Sequence, residues 1–209
     1  VALGDEFTGG AEEVAATVGK LRNVFSDMQS DNVGQDIMHI SNALNELGAA
    51  GFATGPVVAD FANRIGGVGI TLGLTSGQVL GLSATLQELN VSTERGGTAV
   101  VKILQKMTTE TDKFAVIAGM SVTDFKNLVN TDLYGAFTKV MEGSKRSGSS
   151  ATALAGIIKD LEIQGAGASE VFAKLGGNVG MLNEKVDLAS TSLQNTDSVM
   201  AEFGLKNEN

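Results

Sequence analysis

The sequence predicts an all-α fold: a multi-helix bundle of short helices joined by Gly-rich turns, with longer terminal helices. Three observations carry this reading. Apolar side chains recur at steps of three and four along almost the whole chain, as one face of an α-helix requires. No stretch shows the long two-residue alternation of a half-buried strand. Residues that strands and their turns favour are scarce, with one Tyr, one Pro and no Trp in 209 residues.

Each element follows in order. Val14, Val18, Leu21, Phe25 and Met28 line one face of a helix expected over 11–30. Ile37, Ile40, Leu44 and Leu47 do the same for 34–49. Gly55-Pro56 opens a helix over 56–66, because proline lacks an N–H where the first turn needs none. Thr75 and Gln78 have the spacing of a capping box and start a helix over 76–89, with Val79, Leu82, Leu86 and Leu89 on its face. Helices over 93–108 and 110–118 follow. Ser121 with Asp124 marks the start of 122–129, since an acid suits a first turn. Helices over 131–142, 150–162 and 168–175 come next. The last, 178–203, carries Leu182, Val186, Ala189 and Leu193.

Glycines such as Gly51, Gly73, Gly119, Gly165 and Gly176 fall between these segments, where they permit a left-handed cap. Gly81, Gly135 and Gly156 fall inside helices at a cost of about 1 kcal/mol each relative to Ala, which points to close helix approach there. A weak internal repeat runs through the middle. Residues 86–91 (LQELNV) resemble 158–163 (IKDLEI), and Gly73-Leu74-Thr75 resembles Gly119-Met120-Ser121. The second copy carries an insertion around 131–151. The most linker-like stretch is 143–150, Gly-Ser-Lys-Arg-Ser-Gly-Ser-Ser. We divide the chain into an N-terminal helix over 1–35 that continues a longer helical region, a helical core over 36–176, and a C-terminal amphipathic helix over 177–209.

Composition excludes many chemistries. There are 15 Lys and Arg against 24 Asp and Glu, a net charge of −9, which argues against nucleic-acid binding through basic patches. No cysteine is present, so disulfides, thiolate catalysis and Cys-based zinc sites are out. The single histidine, His39, cannot supply a His triad of ligands. It reads as a packing or surface residue.

The carboxylate pairs Glu12-Glu13, Asp27 with Asp31, Glu110 with Asp112, and Asp160 with Glu162 have acid–base spacing, but solvated helix faces and helix starts account for them better. Gly66-Gly67-Val68-Gly69 and Gly176-Gly177-Asn178 lack the lysine and the preceding strand of phosphate loops and read as helix punctuation. Lys145-Arg146 reads as a solvated tip of the 143–150 loop. Residues 65–87 carry no charge, a length that spans a bilayer. Thr75 divides them, however, and a buried helix, a Gly-rich turn and a second helix fit better. We assign no catalytic, cofactor-binding or metal residue and no cofactor.

Around 72–107 the chain reads LGLTSGQVLGLSATLQELNVSTERGGTAVVKILQKM. This resembles the core of phage tail tape measure proteins of the TP901 family. That pattern has a small-residue helix, a capped Leu-Gly-(Leu/Met)-Ser start, a helix ending Leu-x-x-x-Gly/Asn-(Ile/Val), and a Gly-Thr-Ala helix. Leu72, Gly73, Leu74, Thr75, Gln78, Val79, Leu86, Val91, Gly97 and Val100 fit it. Asp36, Asn42, Leu44 and Arg64 stand near the polar and apolar positions of the preceding unit, and Phe114, Ala115, Asp132, Ala136 and Phe137 fit the following one. Gln78 replaces the usual Glu, and Glu94-Arg95 replaces a small or acidic pair. The resemblance covers roughly 36–189.

It implies a structural, non-enzymatic module of a chain that fills the tail tube, sets tail length and leaves when DNA is delivered. The implied partners are other copies of itself, the tail tube protein, tail assembly chaperones and tail tip proteins, with transient host membrane contact and no nucleic acid. The implied location is the virion tail, inside the tube, after synthesis in the bacterial cytoplasm. The series from Val14 and from Leu182 approach a 3.5-residue repeat, suited to bundles or coiled coils. Two other classes stay open on the residues alone: a membrane-active helical protein of pore or toxin type, and a generic helical interaction module.

Overall fold

The computed structural model describes residues 3–146, 151–163 and 166–201. Among the described residues it holds twelve α-helices, one 3-10 turn and no strand. The helices are α1 (Leu3–Glu6), α2 (Gly10–Val24), α3 (Val33–Ala49), α4 (Gly55–Thr71), α5 (Ser76–Glu88), α6 (Thr93–Thr109), α7 (Thr111–Ala118), α8 (Val122–Thr131), α9 (Leu133–Arg146), α10 (Ala151–Asp160), α11 (Ala166–Gly176) and α12 (Val179–Ser192). The all-α bundle expected from periodicity is therefore observed.

The start signals hold in detail. Thr75 and Gln78 form both bonds of the capping box at α5. Ser121 accepts from the Asp124 N–H at α8, and Pro56 sits in the first turn of α4. Residues 65–87 are the end of α4, a turn and α5, as expected. They lack charge because α5 is buried over most of its length. Its Ser83 and Thr85 hydroxyls donate back to the Val79 and Gly81 carbonyls.

α5 is the central helix. It packs on α12 through Gly77 and Gly81: a Cβ at Gly81 would stand 2.4 Å from the Val186 Cα, and one at Gly77 2.9 Å from the Ser190 Cα. α4 covers another side of α5 and also meets α2 and α6. α6 leads to α11, which rests on α9, and α7, α8 and α9 pack together. Phe25, Phe61, Phe114, Phe125, Phe137 and Phe172 are fully buried in one apolar core. The close approach expected at Gly81 is real. Gly156 faces open space and Gly135 faces the Asp132 carboxylate, so neither marks a helix contact.

The turns at two pairs of matching positions share backbone geometry. Asn90 and Glu162, at matching positions, both take left-handed φ, 54° and 55°. Val91 N–H bonds to the Leu86 carbonyl and Ile163 N–H to that of Ile158. Gly73 and Gly119 match likewise, with φ of 107° and 70° and the same pair of bonds back into α4 and α7.

Several boundaries differ from the sequence expectation. The helix expected over 11–30 ends at Val24 and gives way to the 3-10 turn Ser26–Met28. The apolar spacing runs on because Phe25 is buried beyond the helix, while the Gln29 amide caps the Arg22 and Asn23 carbonyls. α4 runs past 66 to Thr71, so Gly66, Gly67 and Gly69 lie inside it rather than punctuating it. Gly66 fits under the Val24 and Phe25 side chains.

α9 runs to Arg146, so 143–146 are helix, not linker. Gly143 is pressed against α7, where a Cβ would stand 1.8 Å from the Ile117 carbonyl oxygen. Residues 147–150 lie outside the described residues, as does Gly165. The helix expected over 178–203 ends at Ser192. The terminal helices are consequently not the longest: α2 and α12 have 15 and 14 residues, whereas α3, α4 and α6 have 17 each. α1 was not foreseen, being too short to show a period.

The two kinds of helical glycine differ in sign. Gly81→Val forces α5 off α12 and costs about 3 kcal/mol. Gly67→Ala, with nothing within 4 Å, gains up to about 1 kcal/mol of helix propensity. Chemical denaturation of the two variants checks both signs.

Candidate functional site

The polar side chains of this chain serve helix ends and buried clusters. Asp36, at the start of α3, accepts from the Arg22 Nε at 2.7 Å, the Ser30 Oγ at 2.6 Å and the Ser30 N–H at 2.9 Å. The Ser30 hydroxyl, aided by the Arg22 guanidinium and the Ser30 N–H, holds the Asp36 carboxyl below its ordinary value of 3.8, against burial. This cluster ties the loop after α2 to α3.

Asn42 is fully buried in the middle of α3 and works on two helix ends at once. Its Nδ2 donates to the Ser192 carbonyl at 3.0 Å and to the Asn195 Oδ1 at 2.9 Å. Its Oδ1 accepts from the Ser198 and Val199 N–H groups at 3.0 and 3.2 Å. Asn42 thus closes the end of α12 and caps the helical stretch at 197–201. Asn195 adds local bonds, its amide donating to the Thr191 carbonyl at 3.3 Å and its Oδ1 accepting from the Asp197 N–H at 3.4 Å, and together these interrupt the expected 178–203 helix although residues 181–203 contain neither Gly nor Pro.

A third cluster joins α5, α12 and the loop after α3. Lys185 and Glu88 pair at 2.5 Å with only 9% and 10% of their side chains exposed, and the Lys185 ammonium also donates to the Ala50 carbonyl at 3.1 Å. The Tyr134 hydroxyl, held protonated by burial and by nearby Asp187 and Asp132, donates to Asn183 at 2.7 Å and ties α9 to α12.

A groove of about 430 Å³ lies between α6 and the turn after α10, lined by Lys102, Gln105, Lys106, Thr109, Glu162 and Ile163. Its charges are largely paired: Lys106 meets Glu110 at 2.5 Å and Glu162 at 3.7 Å, and Lys113 meets Glu110 at 2.5 Å. Hydrogen bonds from Lys106 and then Lys113 hold the Glu110 carboxyl below its ordinary range. A carboxylate so stabilised is a poor proton carrier at neutral pH.

Most of the other sequence candidates sit at helix ends or on the surface. Glu13 accepts from the Gly9 N–H at the start of α2. Asp27 accepts from the Ser76 hydroxyl and, at 2.8 Å, from the Ser76 N–H at the start of α5. Asp31 and Asp160 are exposed, and His39 is half-buried. Gly66, Gly67 and Gly69 have their amides inside α4, and Asn178 punctuates α11 and α12 by donating to the Lys174 carbonyl. Lys145 and Arg146 form the last turn of α9, and Arg146 donates to the Ala118 carbonyl at 3.0 Å, so it is not a free loop tip. Among the described residues no group of acidic or histidine side chains could hold a metal ion, and no helix is long and apolar enough to cross a membrane.

Sequence reasoning missed Phe52, which is 90% exposed between α3 and α4. The available signal was an aromatic residue outside every apolar series, set among Gly51, Ala53, Thr54 and Gly55.

These clusters define an all-helical packing module, in which charge and amide groups hold helix ends together. The chain belongs to the family of phage-related minor tail proteins, whose model matches residues 1–161. It is therefore a phage tail protein, a component of the virion tail that works alongside other tail components. No curated protein and no solved structure matches the chain.

Two variants check the clusters. Asn42→Ala leaves the Ser192 carbonyl and the Ser198 and Val199 N–H groups without their partner and costs about 3 kcal/mol, read by denaturant unfolding. Asp36→Asn is less stable than wild type at neutral pH. Because the folded-state value is depressed, the wild-type advantage is lost as pH falls below 3.8, so the two unfolding midpoints converge there.

Proposed function

We propose that this chain is a folded module of a tail tape measure protein, the long helical chain that occupies the tail tube during assembly and sets its length. The family match over residues 1–161 is the observation that supports this most, taken with the tape-measure-like motif series over 36–189. A helix rises about 1.5 Å per residue, so a largely helical chain converts residue number into length. In this reading residues 36–176 are the core of the module, flanked by 1–35 and 177–209.

Its role is structural rather than enzymatic. The acidic balance, −9 overall, disfavours adhesion to the DNA that later uses the same tube. Its partners are further copies, the tube protein, assembly chaperones and tip proteins, and it leaves the tube at DNA delivery.

The test is tail length by electron microscopy in a phage with an in-frame deletion in the helical part of the parent gene beyond residue 209. Shortening by about 1.5 Å per deleted residue is expected. Tails of normal length would remove the ruler role.

A further inference from the structure

The loop between α3 and α4 is built to display Phe52. Its neighbour Ala53 is buried, while Phe52 itself points into solvent at 90% exposure. Every flank of the loop is held. The Ala50 carbonyl accepts from Lys185 of α12 at 3.1 Å. The Thr54 N–H donates to the Gln87 Oε1 of α5 at 3.0 Å, and the Gln87 Nε2 donates back to the Thr54 hydroxyl at 3.1 Å. The Gly55 N–H donates to the Glu6 carboxylate of α1 at 2.6 Å. Gly51 lies flat on the Glu88–Lys185 pair, where a Cβ would stand 1.9 Å from the Glu88 Oε1. Three helices thus fix a short loop whose one large apolar side chain touches little of the molecule. A fixed aromatic loses little further conformational freedom on binding, which is how aromatic anchors gain affinity.

The charges around the loop select the kind of partner. Glu6 stands against the loop at Gly48 and Gly55, and Glu46 lies one turn before Ala50. The cation at the site, Lys185, is already matched by Glu88. Carboxylates therefore outnumber cations at the loop, and a second copy of this chain would bring the same carboxylates and another −9 of net charge against it. An anionic bilayer surface is disfavoured for the same reason.

We propose that Phe52 is an interaction anchor that inserts into an apolar pocket rimmed by Lys or Arg on another protein of the virion tail. The proposal rests on the tail role for where that partner is found, and not on the ruler function.

The test places a photo-reactive benzoylphenylalanine at position 52 of the full chain during tail assembly. A control places it at Val116, which is 78% exposed on α7. Adducts in purified tails are mapped by mass spectrometry. The expected adduct from position 52 is to a different tail protein, at apolar residues flanked by Lys or Arg. Phe52→Ser should weaken that pair by about tenfold or more with an unchanged thermal midpoint, and Phe52→Leu should retain most of the binding. An adduct to a second copy or to lipid overturns the proposal, as does no adduct at 52 in tails that contain the chain; the tail role then stands. Absence of the chain from purified tails overturns the tail role and the proposal together.

Discussion

The rest of the structure depends on the backbone contact between α5 and α12. Gly77 and Gly81 remove the side chains that would otherwise hold the two helices apart, and the Val186 and Ser190 backbones move into that space. The consequence reaches well beyond the seam. Lys185 sits beside Val186 on α12, so the close approach is what lets it reach Glu88 at the end of α5 and the Ala50 carbonyl. The same placement brings the end of α12 to Asn42 on α3 and Asn183 to Tyr134 on α9. One glycine pair thereby sets the position of a helix that touches three others through polar bonds.

A bundle of many short helices has many ends, and each end leaves backbone groups without intrahelical partners. This chain meets that demand with side chains borrowed from distant elements. Glu6 serves the start of α4, Asp27 the start of α5, Arg146 the end of α7 and Lys174 the Asn90 carbonyl after α5. With only 19% charged residues, a large share of the ionisable groups is committed to the fold.

The repeat gives the bundle a rhythm of left-handed turns. Gly73 with Gly119, and Asn90 with Glu162, end their helices by the same pair of backbone bonds. In the first copy α5 alone spans the interval between the two turns; in the second, α8, α9 and α10 fill it. Each turn closes its helix locally, whatever segment follows it. Phe52 stands apart from this scheme, in a loop whose rigidity comes from three neighbouring helices rather than from its own turn chemistry.

Much of this was legible in the sequence. Steps of three and four located nearly every helix, because one-sided burial imposes that period whatever the neighbour. Thr75 with Gln78, Ser121 with Asp124 and Pro56 marked helix starts, because capping is a local interaction among residues a few positions apart.

Tertiary structure alone decided where helices stop and what the special residues do. The break at Ser192 is held by Asn42, about 150 positions earlier, as well as by the local Asn195 side chain, and the distant half of that arrangement has no local signal. Gly66 and Gly143 looked like punctuation and became contact points, because a glycine's meaning depends on what stands opposite it. The neighbours of Phe52 mark it as lying outside every apolar series, but its exposure is set by which helices flank the loop. Local sequence determines local hydrogen bonding and periodicity; pairing between distant residues, and the surface it leaves exposed, exist only once the chain has packed.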